Sequence, residues 1–139
     1  MKTNELRFGN WIKYEDKLVQ VVQLSSMMIL CQRDENQFLV NFAPKVFEPI
    51  ELTEELMLKI GFKKNKYDWW KYFPDRENEI SILMTENYTT IEYANLFHCP
   101  ENVTEVNYGS TLEFPRRIYL HQLQNAYYIL INKELEVEL

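Results

Sequence analysis

Four side chains able to donate or accept hydrogen bonds fall within five residues near the end of this 139-residue chain: His121, Gln122, Gln124 and Asn125. On a helix, at roughly 100° per residue, His121, Gln124 and Asn125 share one side and Gln122 points away. Two kinds of chemistry fit them. They can form a polar recognition surface, with Arg116 and Arg117 beside it, or they can satisfy backbone groups of the long segment that precedes the helix. Anchoring is the favoured reading. As catalytic groups they lack a partner: no Cys or Ser is placed as a nucleophile and no carboxylate as an orienter.

A second cluster is aromatic. Tyr67, Trp69, Trp70, Tyr72 and Phe73 follow Lys63, Lys64 and Lys66, and rings with lysines can stack on bases while holding phosphates. Strand alternation, however, sends these rings to both faces, so at most half can form one platform. Core packing is expected for the inward ones. Trp70 and Tyr72, if exposed side by side, suit a protein contact, because such rings are enriched in binding hot spots.

Other chemistries find little support. His98-Cys99 with His121 could be imagined around a metal, but no CxxC or HxxxH spacing accompanies them. The three glycines, Gly9, Gly61 and Gly109, are too far apart for a phosphate-cradling loop. No paired-carboxylate motif stands out, and Glu134, Glu136 and Glu138 alternate with Leu135 and Val137 like a solvated final strand or tail. No metal and no cofactor is implied, and the chain is read as a non-enzyme.

The polar string is carried by the strongest helical pattern in the sequence, over 116–135. Leu120, Leu123, Tyr127, Leu130 and Ile131 recur at helical steps, with Ala126 and Ile129 widening the apolar face. Asn132 can take the left-handed position at its end. Residues 51–66 predict a second, short helix. Thr53 is an N-cap followed by Glu54 and Glu55, where the helix dipole favours negative charge. Leu52 can staple to Met57. Gly61 stops the helix, with Phe62 folding back toward Met57.

Between and before these lie strands. Residues 6–50 read as extended: Leu6-Arg7-Phe8 leads through Gly9-Asn10 to four or five short strands, Trp11 to Tyr14, Lys17 to Leu24, Met27 to Cys31, Gln37 to Phe42, and an edge strand or extended arm at Val46-Phe47 bracketed by Pro44 and Pro49. They suggest a small curled antiparallel sheet, for which a Tudor or Src-homology-type barrel is the analogue. A second antiparallel set begins at Tyr67 and includes a hairpin around Glu86-Asn87. Residues 96–115 read as a long loop with room for one more strand.

The hydrophobic fraction of 46% supports a folded chain rather than disorder. Its length makes one domain, 1–139, the expectation, with a possible subdivision into 1–50 and 51–139. Residues 1–66 carry a balance of +1 and residues 67–139 one of −7, within a net charge of −6. An acidic second half repels phosphate backbones, so nucleic acid is a disfavoured partner. No apolar run approaches the ~20 residues that span a bilayer, and residues 1–11 lack a signal-peptide core. Two isolated cysteines, Cys31 and Cys99, are no disulfide framework. A cytoplasmic, reduced protein without a membrane role is expected, and the sequons at Asn87 and Asn102 are then chance matches.

Three pieces of the chain resemble an uncharacterised family of small proteins common in bacterial and phage genomes. They are Leu6-Arg7-Phe8-Gly9-Asn10-Trp11-Ile12, then Pro49-Ile50-Glu51-Leu52-Thr53-Glu54-Glu55 running to Gly61-Phe62, and His121-Gln122-Leu123-Gln124-Asn125. The family pattern has Gly where this chain has Asn132, a usual substitute in a left-handed cap. The resemblance implies a single folded unit in a bacterial accessory or phage-encoded setting, and brings no activity with it.

The sequence thus predicts an α+β protein: a curled N-terminal sheet, a short capped helix, and a second antiparallel sheet packed by a C-terminal helix. The expected function is non-catalytic binding of another protein, through Trp70 and Tyr72 or through Arg116, Arg117, His121, Gln124 and Asn125. A single-stranded nucleic-acid module is the first alternative, and an enzyme of unrecognised type the second.

Overall fold

Alternating apolar residues build two antiparallel sheets of five strands each, and two helices cover the second of them. The computed structural model describes residues 5–25, 28–41, 47–66, 68–72, 78–98 and 104–137, with only the backbone at 78, 95–98 and 104–108. The expectations placed on Pro44, Val46, Tyr67, Phe73, Cys99 and the side chain of His98 fall outside the described residues.

The first sheet contains β1 (Trp11–Tyr14), β2 (Lys17–Leu24), β3 (Met28–Arg33), β4 (Asn36–Asn41) and β5 (Phe47–Glu48), in the spatial order β4-β3-β2-β1-β5. Its register puts Ile12 opposite Val19, Val21 opposite Cys31 and Ile29 opposite Val40. These six residues therefore share a face. With Leu6 and Phe47 they form a buried cluster of their own. The tight turn after β1 holds Glu15 and Asp16 at φ +48° and +62°, the left-handed pair that a two-residue hairpin requires.

The barrel analogy is corrected here. The sheet is open, because β5 pairs only with β1 and β4 only with β3 among the described residues. Leu6-Arg7-Phe8, expected to be extended, is a turn instead. Asn10 N–H donates to the Arg7 carbonyl and Asn10 Oδ1 accepts from Arg7 N–H at 2.7 Å. An asparagine that bonds its own neighbourhood competes with strand pairing.

The second sheet contains β6 (Lys63–Lys64), β7 (Trp69–Tyr72), β8 (Asn78–Met84), β9 (Thr89–His98) and β10 (Thr104–Phe114), in the order β10-β9-β8-β7-β6. One row of its inner face runs Trp69, Ile82, Ile91, Leu112 across four strands. The segment read as a loop is thus mostly strand. A sheet with one solvated face needs polar residues at alternate positions, and in Thr111 and Glu113 on either side of Leu112 that alternation reads as loop composition.

Helix α1 (Glu54–Lys59) is capped as its sequence predicts, with Thr53 Oγ1 accepting from Leu56 N–H at 3.2 Å. At its other end Gly61 N–H donates to Leu58 O and Phe62 N–H to Met57 O, both at 3.0 Å, the paired bonds of a Schellman ending. Gly61 lies at φ +87°. Helix α2 (Leu120–Ile131) ends at Asn132 with φ +57°. It buries Leu120, Leu123, Ala126 and Tyr127 against the second sheet, with Leu130 half-buried there. Ile129 does not widen the apolar face as expected: it is 70% exposed. Two apolar clusters result rather than one, and β1 and β2 link them by directing Trp11 and Leu18 into the larger.

Gly61→Ala should lower stability by ~1–2 kcal/mol, the cost of a Cβ in the left-handed region. The added atom meets Lys71 Nζ at 3.4 Å, so the crowding there is slight and backbone strain should dominate. Urea unfolding of the variant checks this, with Gly61→Asn expected to lose less.

Candidate functional site

The polar string on α2 faces the first sheet and the turn that precedes it. Gln124, 2% exposed, accepts a hydrogen bond from Trp11 N–H at 3.0 Å and donates to Gly9 O at 3.1 Å. Asn125 donates to Glu5 O at 2.8 Å and accepts from Asn10 Nδ2 at 3.0 Å. Arg7 completes the arrangement, forking onto Glu134 with contacts of 2.6 Å and lying over the Tyr128 ring at 3.9 Å. The anchored backbone is therefore that of residues 5–11, not the segment just before the helix. Gln122, read as pointing away, accepts from Tyr119 N–H at 3.1 Å and so caps the helix start.

His121 is buried without a hydrogen bond to either ring nitrogen. Its ring stacks on Tyr119 with centroids 6.2 Å apart and planes within 7°. Burial pushes its pKa down to about 4, partly opposed by the Glu5 carboxylate. The imidazole is thus neutral near pH 7. Among the described residues no hydroxyl, thiol or carboxylate bonds either ring nitrogen as a nucleophile or orienter would. Cys31, the free thiol of the first sheet, is pushed up to about 11 by burial, opposite to what an activated nucleophile needs. The described residues contain no group of three metal-ligating side chains.

Of the two arginines before α2, Arg116 is exposed and 3.9 Å from Glu5. Arg117 Nη2 donates to Leu52 O at 2.9 Å. Arg117 also lines a groove of about 330 Å³ with Lys64, Asp68, Trp69 and Thr85. Its wall mixes both signs of charge, and Lys64 is already ion-paired with Glu54.

The lysine–aromatic stretch is divided by its strand. Trp69 turns inward and is buried, with Lys64 over its ring at 5.5 Å. Lys71 also lies on the inner side, where Nζ donates to Ile60 O at 2.8 Å, and burial holds its pKa below the usual lysine range. Trp70 and Tyr72 point the other way. Their ring centroids are 4.6 Å apart at 63°, an edge-to-face contact, and Tyr72 is 47% exposed. Lys63 lies over Trp70 at 5.1 Å. The register then places Ser81 opposite Trp70, Glu79 opposite Tyr72 and Glu92 opposite Ser81. Of the residues singled out in the sequence, Trp70 and Tyr72 are brought together on a solvent-facing surface, whereas His121, Gln124 and Asn125 are brought together against the chain's own backbone.

Sequence reasoning missed Arg7 and Asn10 as partners of the polar string, Glu134 as the partner of Arg7, and Glu79 and Glu92 as neighbours of the rings. The first group lies more than a hundred residues from its partners along the chain, and the second is fixed by strand register. A search of protein-family models, of curated proteins and of solved structures finds no match to this chain. No helix among the described residues is long and apolar enough to cross a membrane.

Two outcomes follow from the anchoring contacts and the buried ring. Asn125→Ala removes the bonds to the Glu5 carbonyl and the Asn10 amide, at a cost of ~1–3 kcal/mol each; a thermal melt should record the loss, while Ile129→Ser should melt like the parent. His121 binds a proton more weakly in the folded than in the unfolded chain. Its contribution is therefore fully present above the unfolded value of 6.5 and lost as pH falls from there toward about 4. Comparing urea midpoints across that window, the fall with acidification should be shallower in His121→Leu.

Proposed function

We propose that this protein is a non-catalytic binding module whose partner is another protein, docked on the outer face of the second sheet around Trp70 and Tyr72. The observation that carries the reading is the edge-to-face pair of rings at 4.6 Å, Tyr72 exposed and Trp70 half-buried, on a face where β7 supplies no aliphatic cover. Aromatic side chains bring large area with little rotamer freedom to lose, which is why they dominate binding hot spots. The polar string is not assigned a partner, because Gln124 and Asn125 are engaged with residues 5–11, Gln122 caps the helix start and His121 is buried. A reduced, cytoplasmic setting suits the buried free thiol of Cys31.

A single-stranded nucleic acid is the weaker alternative. Lys63 already covers part of Trp70, and Glu79 and Glu92 stand in the adjoining strands, where they repel phosphate.

The test is capture from the native host with parent, Trp70→Ala and Tyr72→Ala proteins, followed by titration of the captured partner. Each variant should keep the parental melting temperature and bind ~2 kcal/mol more weakly, about thirtyfold. A partner held equally well by all three proteins would place the docking surface elsewhere. Retention of an oligonucleotide that weakens with salt and with Trp70→Ala would move the assignment to the alternative.

A further inference from the structure

The docking face is charged as well as aromatic, and its charge has one sign in excess. Tyr72 and Glu79 are direct cross-strand partners, which puts ring and carboxylate side by side, with Cβ atoms ~5 Å apart. Asp68 continues the same ladder, its carbonyl accepting from Asn65 N–H at 2.8 Å. Positions 68, 70 and 72 alternate to one side of the strand. Glu92 stands one strand beyond Ser81. Against Glu79 and Glu92 the described residues of the face offer one cation, Lys63, which lies over Trp70, while Asp68 also borders the groove of Lys64 and Arg117.

Neither Asp68 nor Glu79 is ion-paired among the described residues. Asp68 Oδ1 is closed off from water and has no hydrogen-bond partner, a costly state for a carboxylate oxygen. The Glu79 carboxyl is held above the usual range, first by burial and then by the charge of Asp68. Two acids that repel one another beside the exposed ring of Tyr72 and the half-buried ring of Trp70 make a site that a positive charge relieves. Lys63 over Trp70 shows that such a ring accepts a cation in this fold, and the Tyr72 ring lies next to it.

We infer that the partner docked on this face presents an arginine or lysine side chain, received against Tyr72 and Trp70 by the carboxylate of Glu79, with the charge of Asp68 behind it. This rests on the docking role proposed above. A guanidinium fits better than an ammonium, since it stacks on aromatic rings and bonds a carboxylate through two parallel N–H groups. A phosphate, an acidic peptide or a purely apolar segment leaves the carboxylates unrelieved.

The experiment selects a random peptide library displayed on phage against the intact protein, and discards sequences that also bind the Trp70→Ala variant. Selected sequences should be enriched in arginine or lysine at a common position. A synthetic copy of the leading peptide, titrated calorimetrically, should bind Glu79→Gln roughly tenfold more weakly or worse, and should lose as much when its arginine is replaced by citrulline. The citrulline peptide changes only the ligand, so it decides the matter even if the Glu79 variant folds poorly. Trp70-dependent sequences that are acidic or apolar would overturn the cation assignment and leave the docking face standing. A library that yields nothing dependent on Trp70 would overturn both.

Discussion

Two amide side chains on α2, the buried Gln124 and the half-buried Asn125, govern how the halves of this chain meet. A primary amide taken out of water must find partners for its oxygen and nitrogen. Here each amide finds them on a single short stretch, residues 5–11: Gln124 on the backbone of Gly9 and Trp11, Asn125 on the Glu5 carbonyl and the Asn10 side chain. That stretch in turn enters β1, whose Trp11 reaches the core under α2 while the adjacent Ile12 belongs to the first sheet's own cluster. Moving the helix by one residue would break the amide bonds and misplace the tryptophan together. Arg7 reinforces the geometry from the exposed side through Glu134 and Tyr128.

The same bonds determine which surface is free to meet a partner. Polar side chains on a helix invite reading as a recognition face, yet these spend their capacity inside the molecule. What remains outward on the second sheet comes from strand alternation. Trp69 and Lys71 go to the inner side, while Trp70 and Tyr72 go to the outer one. A cluster that looks uniform in sequence thus supplies the core and a docking face from neighbouring residues.

Much of the architecture was legible because it is local. Thr53, Glu54 and Glu55, Gly61 and Phe62 mark α1 end to end, and Asn132 marks the close of α2, each through bonds to residues within one turn. The two strand groups were legible from β-branched alternation. The open edge of the first sheet was not, since closure depends on whether β4 reaches β5, and no property of either strand alone decides that. β10 was missed because an exposed strand face and a loop share a composition. The site was half legible: alternation could separate Trp70 and Tyr72 from Trp69, but only the register of β7 on β8 brings Glu79 beside Tyr72. Anchoring by Gln124 and Asn125 was readable as chemistry, though not its target, because nothing in the intervening sequence announces a bond spanning 115 or 120 positions.

That span has a consequence for how the chain reaches its final state. Loops of this length close slowly relative to hairpins and helix caps, because much chain must be ordered before a distant contact rewards it. The hairpins of the first sheet can form as soon as residues 11–41 exist. The turn at residues 5–10, by contrast, cannot complete its hydrogen bonds until 124–134 have been synthesised and α2 has formed. During synthesis the first sheet therefore waits with Trp11 and Leu18 uncovered, and the joining of opposite ends of the described chain is the step that ends this exposure.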